Sequence, residues 1–242
     1  MARTGIRRKK RTAGYRLGVD VGGTFTDISL LSGDGSRMVT LKVPSTPDDP
    51  SRAIVAGLAT LLSRHKIPAR QISYFAHGTT VATNTVLQHT GARVGMLTTA
   101  GFRDLLEIGR QKRPSVYDLF ASKPKVLVPG RWRREVVERM AYDGTVLTAL
   151  DEEGVRKEVS ALRDAGVEAL AVCFLHSYAS PAHEKRALEI ARETAPDLYL
   201  TASHEMTSEF REYERFLTAV LNAYVGRRLG DYLTHLQESL KE

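Results

Sequence analysis

The 242-residue sequence predicts an α/β fold: an antiparallel meander leading into βα units, an inserted α/β subdomain, and a long C-terminal helix. Three observations predict it. Three short alternating apolar runs near the N-terminus lie too close together for helical crossovers. Behind them, strand-like and helix-like segments alternate, which is the signature of layered α/β architecture. From Ser208 onward, apolar residues recur at three- and four-residue spacing.

In order, Arg16–Val21 and Phe25–Leu31 read as strands joined through Gly22-Gly23-Thr24. A third strand, Arg37–Val43, follows the turn Ser32-Gly33-Asp34-Gly35-Ser36. Pro44 to Pro50 reads as a loop, with Ser51 as the cap of a helix toward His65. Ile72–Ala76 is a short strand, after which Thr79 or Thr80 caps a helix ending near Gly91. Arg93–Leu97 is a strand and Phe102–Ile108 a short helix. Arg113 to Tyr142 is broken by prolines and carries no clear period, but Tyr142-Asp143-Gly144-Thr145 reads as a hairpin turn. Asp151 then caps a helix to Ala165, Glu168–Leu175 is a strand, Pro181 opens a helix to Thr194, and Leu198–Thr201 is a strand. We take roughly 114–196 as an α/β insert. In the final helix, Gly226 and Gly230 weaken the middle. Its apolar face, with Tyr213, Leu217, Leu221, Tyr224 and Leu233 the bulkiest, is broad enough to suggest self-association.

The net charge of +7 invites a nucleic-acid reading, so the place of the charge matters. Seven cations fall between Met1 and Arg16 with no acid among them, and the remainder carries 28 basic and 28 acidic residues. A neutral body disfavours a nucleic-acid role, so no nucleic-acid partner is expected, and residues 1–15 read as a basic disordered tail. No apolar segment follows the cations, so they do not start a signal peptide. No run approaches membrane-spanning length, so no membrane role is expected. Cys173 is the single cysteine, which excludes internal disulfides and points to the cytoplasm.

The sharpest local signal is Asp20-Val21-Gly22-Gly23-Thr24-Phe25-Thr26-Asp27. Leu17, Val19 and Val21 share one strand face, which leaves Asp20 on the other with Gly18 and Gly22. Gly22 and Gly23 allow backbone N–H groups to approach an anion, and Thr24 and Thr26 can add hydroxyl donors. Asp20 then suits a magnesium ion, which keeps most of its waters and needs few carboxylates. The competing reading is an ordinary Gly-Gly hairpin. A second block, His77-Gly78-Thr79-Thr80, lies where a strand gives way to a helix. Its threonines suit an anionic group and His77 can polarise a bond or shuttle a proton, although a capped helix after a loop histidine reads equally well. Arg110 and Arg113 sit in a polar loop where they can grip a carboxylate or phosphate, or simply form surface ion pairs.

Asp-x-Gly-Gly-Thr at a first hairpin is similar to the first phosphate loop of the actin, Hsp70 and sugar-kinase superfamily. More narrowly, the chain resembles the hydantoinase A/5-oxoprolinase family. The resemblance runs through Val43–Pro50, His77–Asn84, Gly101–Arg110, Phe174–Tyr178 and Arg211–Arg215. It implies an actin-like ATPase (ribonuclease-H-like) first lobe, with 16–196 as the family's N-terminal region and 197–242 as the start of a hydantoinase A domain cut short. It also implies ATP and Mg2+ as cofactors and ATP-driven opening of 5-oxoproline, a hydantoin or a related lactam. On this view Asp20 and His77 are catalytic, with Asp20 also the metal ligand. Gly22, Gly23, Thr24 and Thr26 hold the nucleotide, and Thr79, Thr80 and Arg110 the substrate. The expected partners are a cyclic-amide substrate, a second ATPase lobe and a hydantoinase B-type subunit. An acetone-carboxylase-type subunit, a sugar kinase and a non-catalytic binding module are the alternatives. The single cysteine speaks against the kinase, whose relatives commonly carry a cysteine-rich zinc motif.

Overall fold

In the computed structural model, residues 14–46, 49–112, 115–118, 120–123 and 125–241 are described. Residues 1–13 of the expected tail and Arg113 lie outside them, whereas Tyr15, expected to end the tail, is the first residue of a strand. The chain divides into two compact units, one running to Gln88 and resumed from Leu229, the other His89–Arg228.

The first unit opens with the expected meander. Strands β1 (Tyr15–Val21), β2 (Phe25–Ser32) and β3 (Met38–Pro44) pair antiparallel in sequence. Helix α1 (Pro50–His65) follows. Its cap is Asp49, not Ser51: the Asp49 carboxylate accepts from the Ser51 N–H at 3.0 Å and from the Ser51 hydroxyl at 2.5 Å. Asp precedes Pro50, and proline suits the first helical position because its missing N–H needs no partner there. Strand β4 (Ile72–Thr79) runs three residues further than its apolar run and pairs parallel with β1, giving the order β3-β2-β1-β4. Helix α2 (Val81–Leu87) follows directly.

The second unit holds a parallel sheet of order β10-β9-β5-β6, built from β5 (Val94–Thr99), β6 (Arg133–Val136), β9 (Ala169–Cys173) and β10 (Tyr199–Ala202). Every residue of β5 and β9 is buried, as expected for parallel strands covered on both faces. Because β5 pairs with β9 and β6, it belongs to this unit, which therefore begins well before residue 114. Between β5 and β9 lie α3 (Leu105–Ile108), the small hairpin β7 (Arg139–Met140) and β8 (Val146–Thr148), and α4 (Glu152–Asp164). The hairpin turns at Tyr142–Thr145, as expected. In α4, Val155, Val159 and Leu162 recur at helical spacing and are fully buried; α5 (Ala182–Thr194) buries Ala187, Leu188, Ile190 and Ala191. The short α6 (Ser203–Met206) follows β10.

Helix α7 (Glu212–Ser239) starts four residues later than expected and runs unbroken through both glycines. Its open face is largely absent. Tyr224 is buried against Gly91, where a Cβ would overlap its ring; Tyr213, Leu217 and Leu221 are half-buried, and Leu233 is exposed. Tyr232 and Leu236 join the core of the first unit with Leu17, Val19, Val21, Ile28, Leu30 and Ile54. No helix among the described residues is long and apolar enough to cross a membrane.

Candidate functional site

The register of β1 decides what meets at its end. Asp20 stands beside Gly78 of β4, and a Cβ on Gly78 would lie only 3.2 Å from Asp20 Oδ1. The absent side chain leaves room for the carboxylate, which is exposed and has no hydrogen-bond or ion-pair partner among the described residues. Beyond Val21 the chain turns. The Gly22 N–H is already committed to the Phe25 carbonyl at 3.0 Å, so Gly22 closes the turn and its amide is not free for an anion. Gly23 and Thr24 are exposed, and neither their amides nor the Thr24 hydroxyl has a partner among the described residues. An unpaired carboxylate beside two free amides and a hydroxyl is a set that can hold a metal ion and a phosphate together.

Thr26 supports this turn from behind. It is fully buried, and its hydroxyl meets Ser45 Oγ at 3.0 Å, while Ser45 Oγ donates to the Gly22 carbonyl at 2.8 Å. Thr26 therefore stiffens the loop and does not reach a ligand. Ser45, from the Pro-rich loop, is a supporting residue that spacing alone does not reveal.

Thr80 lies on the exposed side of the turn. Its N–H and hydroxyl both donate to the Val21 carbonyl, at 3.1 and 3.3 Å. Thr79 is half-buried, and its hydroxyl accepts from the Val81 N–H, the first of α2, at 3.1 Å, while Thr80 holds the cap position without a side-chain bond to the helix amides. Asn84, one turn into α2, donates from Nδ2 to Thr80 Oγ1 at 3.2 Å and stands beside Gly23.

His77 is not in this cluster. The register pairs His77 with Val19 and Gly78 with Asp20, and paired residues on neighbouring strands share a face. Val19 is buried, so the imidazole lies on the core side, opposite Asp20. There Nε2 meets the Tyr232 hydroxyl at 2.6 Å, the ring stacks on Phe75, and Nδ1 is buried with no hydrogen-bond partner among the described residues. Burial lowers the His77 pKa, with the Val19 carbonyl and the Asp20 charge working the other way. Burial also pushes the Tyr232 hydroxyl up to about 12. The pair is thus a neutral contact that holds β4, not a proton shuttle at the turn.

Arg110 belongs to the second unit, where it grips Glu214 with two bonds of 2.7 Å. That bond raises its pKa and engages its guanidinium with a protein carboxylate. The polar centre of this unit lies elsewhere. Arg215 is fully buried and donates to the Phe174 carbonyl at 2.9 Å and to Ser203 Oγ at 3.1 Å. Glu184, also buried, accepts from the Phe174 N–H, Ser203 Oγ and His204 Nδ1. Glu138 accepts from Thr99 and from His183. These groups clamp the segment after β9, where His176 adopts a left-handed φ of 55°. They are mutually satisfied, as buried charges must be. Among the described residues, no group of three or more metal-ligating side chains forms.

Both the sequence and the fold are similar to those of known proteins. Residues 16–195 match the model of the hydantoinase/oxoprolinase N-terminal region. The chain is 37% identical to the caprolactamase subunit alpha of Pseudomonas jessenii, covering 94% of this chain and 34% of that protein. It is 33% identical to 5-oxoprolinase 1 of Arabidopsis thaliana, covering 90% of this chain and 19% of that one. Among solved structures, nucleotide-free acetone carboxylase superposes with a TM-score of 0.86 at 26% identity, over 94% of this chain and 34% of that chain. The crystal structure of the ATP-dependent caprolactamase superposes at 0.82 with 36% identity, over 93% of this chain and 34% of that chain. The chain thus spans about a third or less of the length of these relatives.

Proposed function

Because the chain belongs to the hydantoinase/oxoprolinase family, we propose that it supplies the first phosphate-holding turn of an ATP-dependent enzyme that opens a cyclic amide. The observation that carries this reading is the exposed, unpaired Asp20 carboxylate beside the free amides of Gly23 and Thr24. A lone carboxylate fits magnesium, which takes one or two carboxylates and fills its remaining positions with water and phosphate. The relatives named as caprolactamase and 5-oxoprolinase support a lactam as the substrate class. A second reading, a carboxylase subunit, is supported by the likeness to acetone carboxylase.

In this proposal Asp20 holds the metal ion, Gly23 and Thr24 donate to phosphate oxygens, and Thr26 with Ser45 keeps the turn stiff. Thr80 holds the end of β1 against α2, and His77 with Tyr232 fixes the end of β4. When bound, ATP supplies the phosphoryl group that activates an amide oxygen toward water. Residues 197–242 begin a following domain, and a second lobe and a B-type subunit complete the enzyme in the cytoplasm. Asp20→Asn keeps the shape and removes the charge. In the full-length protein with its partner subunit, turnover should then fall by orders of magnitude, with the circular dichroism unchanged. Near-normal turnover in that variant removes Asp20 from the site.

A further inference from the structure

Phosphate-holding turns often carry a lysine, and this one has none: no cation stands within the run Asp20–Asp27. Asn84 occupies the place beside the turn. A Cβ built on Gly23 would lie 3.4 Å from Asn84 Nδ2, so the carboxamide covers the side of Gly23 where any other residue would project. The same nitrogen donates to Thr80 Oγ1, whose own proton goes to the Val21 carbonyl. A carboxamide has two N–H donors and one acceptor oxygen. One N–H is used here; the other, and the oxygen, have no partner among the described residues.

We infer that Asn84 is a phosphate-contacting residue of this turn, its second N–H joining the Gly23 and Thr24 amides as a neutral donor to a phosphate oxygen. The inference rests on the reading of the Asp20 turn given above. The chemistry favours a neutral donor at this place. A lysine or arginine beside the turn would be drawn to the unpaired Asp20 carboxylate and would compete with the metal ion. An amide adds a donor without that competition. Its bond to Thr80 holds it in place before a ligand arrives, so less ordering is needed on binding.

The test is calorimetric titration of the purified chain with ATP, in the presence of magnesium and again in the presence of a chelator. Asn84→Ala should weaken binding about tenfold in both conditions, the loss of one hydrogen bond to a charged group. Asp20→Asn should instead remove only the increment that magnesium adds. Asn84→Asp separates a ligand contact from a scaffold. The Thr80 hydroxyl can turn its proton from the Val21 carbonyl to the new carboxylate while the Thr80 N–H keeps that carbonyl, so a scaffolding role predicts a milder loss than with alanine. A phosphate contact predicts a greater loss in chelator, because like charges then face each other. Melting curves identify a variant that fails to fold, and the other substitution then decides. Binding by Asn84→Ala within twofold of the native chain, or a milder loss with Asp than with Ala, overturns the inference while leaving the turn intact. If the native chain binds no nucleotide in either condition, the reading of the Asp20 turn falls, and Asn84 with it.

Discussion

At His77 a single ring serves the sheet and not the ligand. Its Nε2 shares a hydrogen bond with the Tyr232 hydroxyl, and its burial favours the uncharged imidazole. Burial is the main reason its pKa falls below 6.5. The sign of the effect on stability follows. Between the folded and unfolded values the unfolded chain binds more protons, so stability rises with pH through that window. The contribution is complete above about pH 6.5 and is lost as pH falls through the folded value. His77→Gln keeps a hydrogen-bonding partner for Tyr232 but cannot titrate. Its melting temperature should therefore depend less steeply on pH than that of the native chain between about pH 5 and about pH 7. Every other histidine is common to both proteins, so the difference curve isolates His77. Parallel melting curves for the two would show that His77 does not titrate on folding.

At the scale of elements, α7 carries two glycines with opposite consequences. Both weaken a helix interior by about 1 kcal/mol relative to alanine. A Cβ built on Gly230 would meet no other described side chain or segment within 4 Å, so Gly230→Ala should stabilise the chain by about 0.5–1 kcal/mol. At Gly226 a Cβ would overlap the Tyr199 ring, so Gly226→Ala should destabilise by about 1–3 kcal/mol. Urea denaturation of the two variants checks both signs, and a stabilised Gly226→Ala would show that Tyr199 moves aside freely. The periodicity of α7 was legible, as were the meander and the helices capped by Asp151 and opened by Pro181, because these are local patterns. The turn at Asp20 was legible for the same reason. What lay hidden depends on pairing. Strand β4 outlasts its apolar run because β1 templates it as far as Thr79, and those extra residues turn His77 toward the core. Asn84 meets a glycine sixty-one positions earlier, a contact no helical period reveals. Arg215 sits in the charged run Arg211-Glu212-Tyr213-Glu214-Arg215, yet it donates inward to Phe174 and Ser203.

For the whole molecule, the question is whether one phosphate-holding turn suffices for chemistry. Asp20, Gly23 and Thr24 are all exposed, and the described residues offer no second turn of the same kind. Phosphoryl transfer depends on positioning both reacting oxygens and on keeping bulk water from the transferring group. A ligand held at an open turn meets neither condition. The chain also spans about a third or less of its relatives, which leaves ample sequence in those proteins to close the site. We therefore expect the 242-residue chain alone to bind Mg-ATP without hydrolysing it and to leave lactams intact. Association through α7, suggested by its sequence, rests now mainly on exposed Leu233, since Tyr224 is buried and its neighbours half-covered. An ATPase assay on purified chain, run beside light scattering to establish what species is present, decides the matter. The expected result is phosphate release no faster than in a protein-free blank, with a panel of lactams and hydantoins unchanged. Magnesium-dependent release that disappears in the Asp20→Asn variant would overturn the expectation. It would mean that a second group within these residues, acting with the turn at Gly23, shields the transferring phosphate from water.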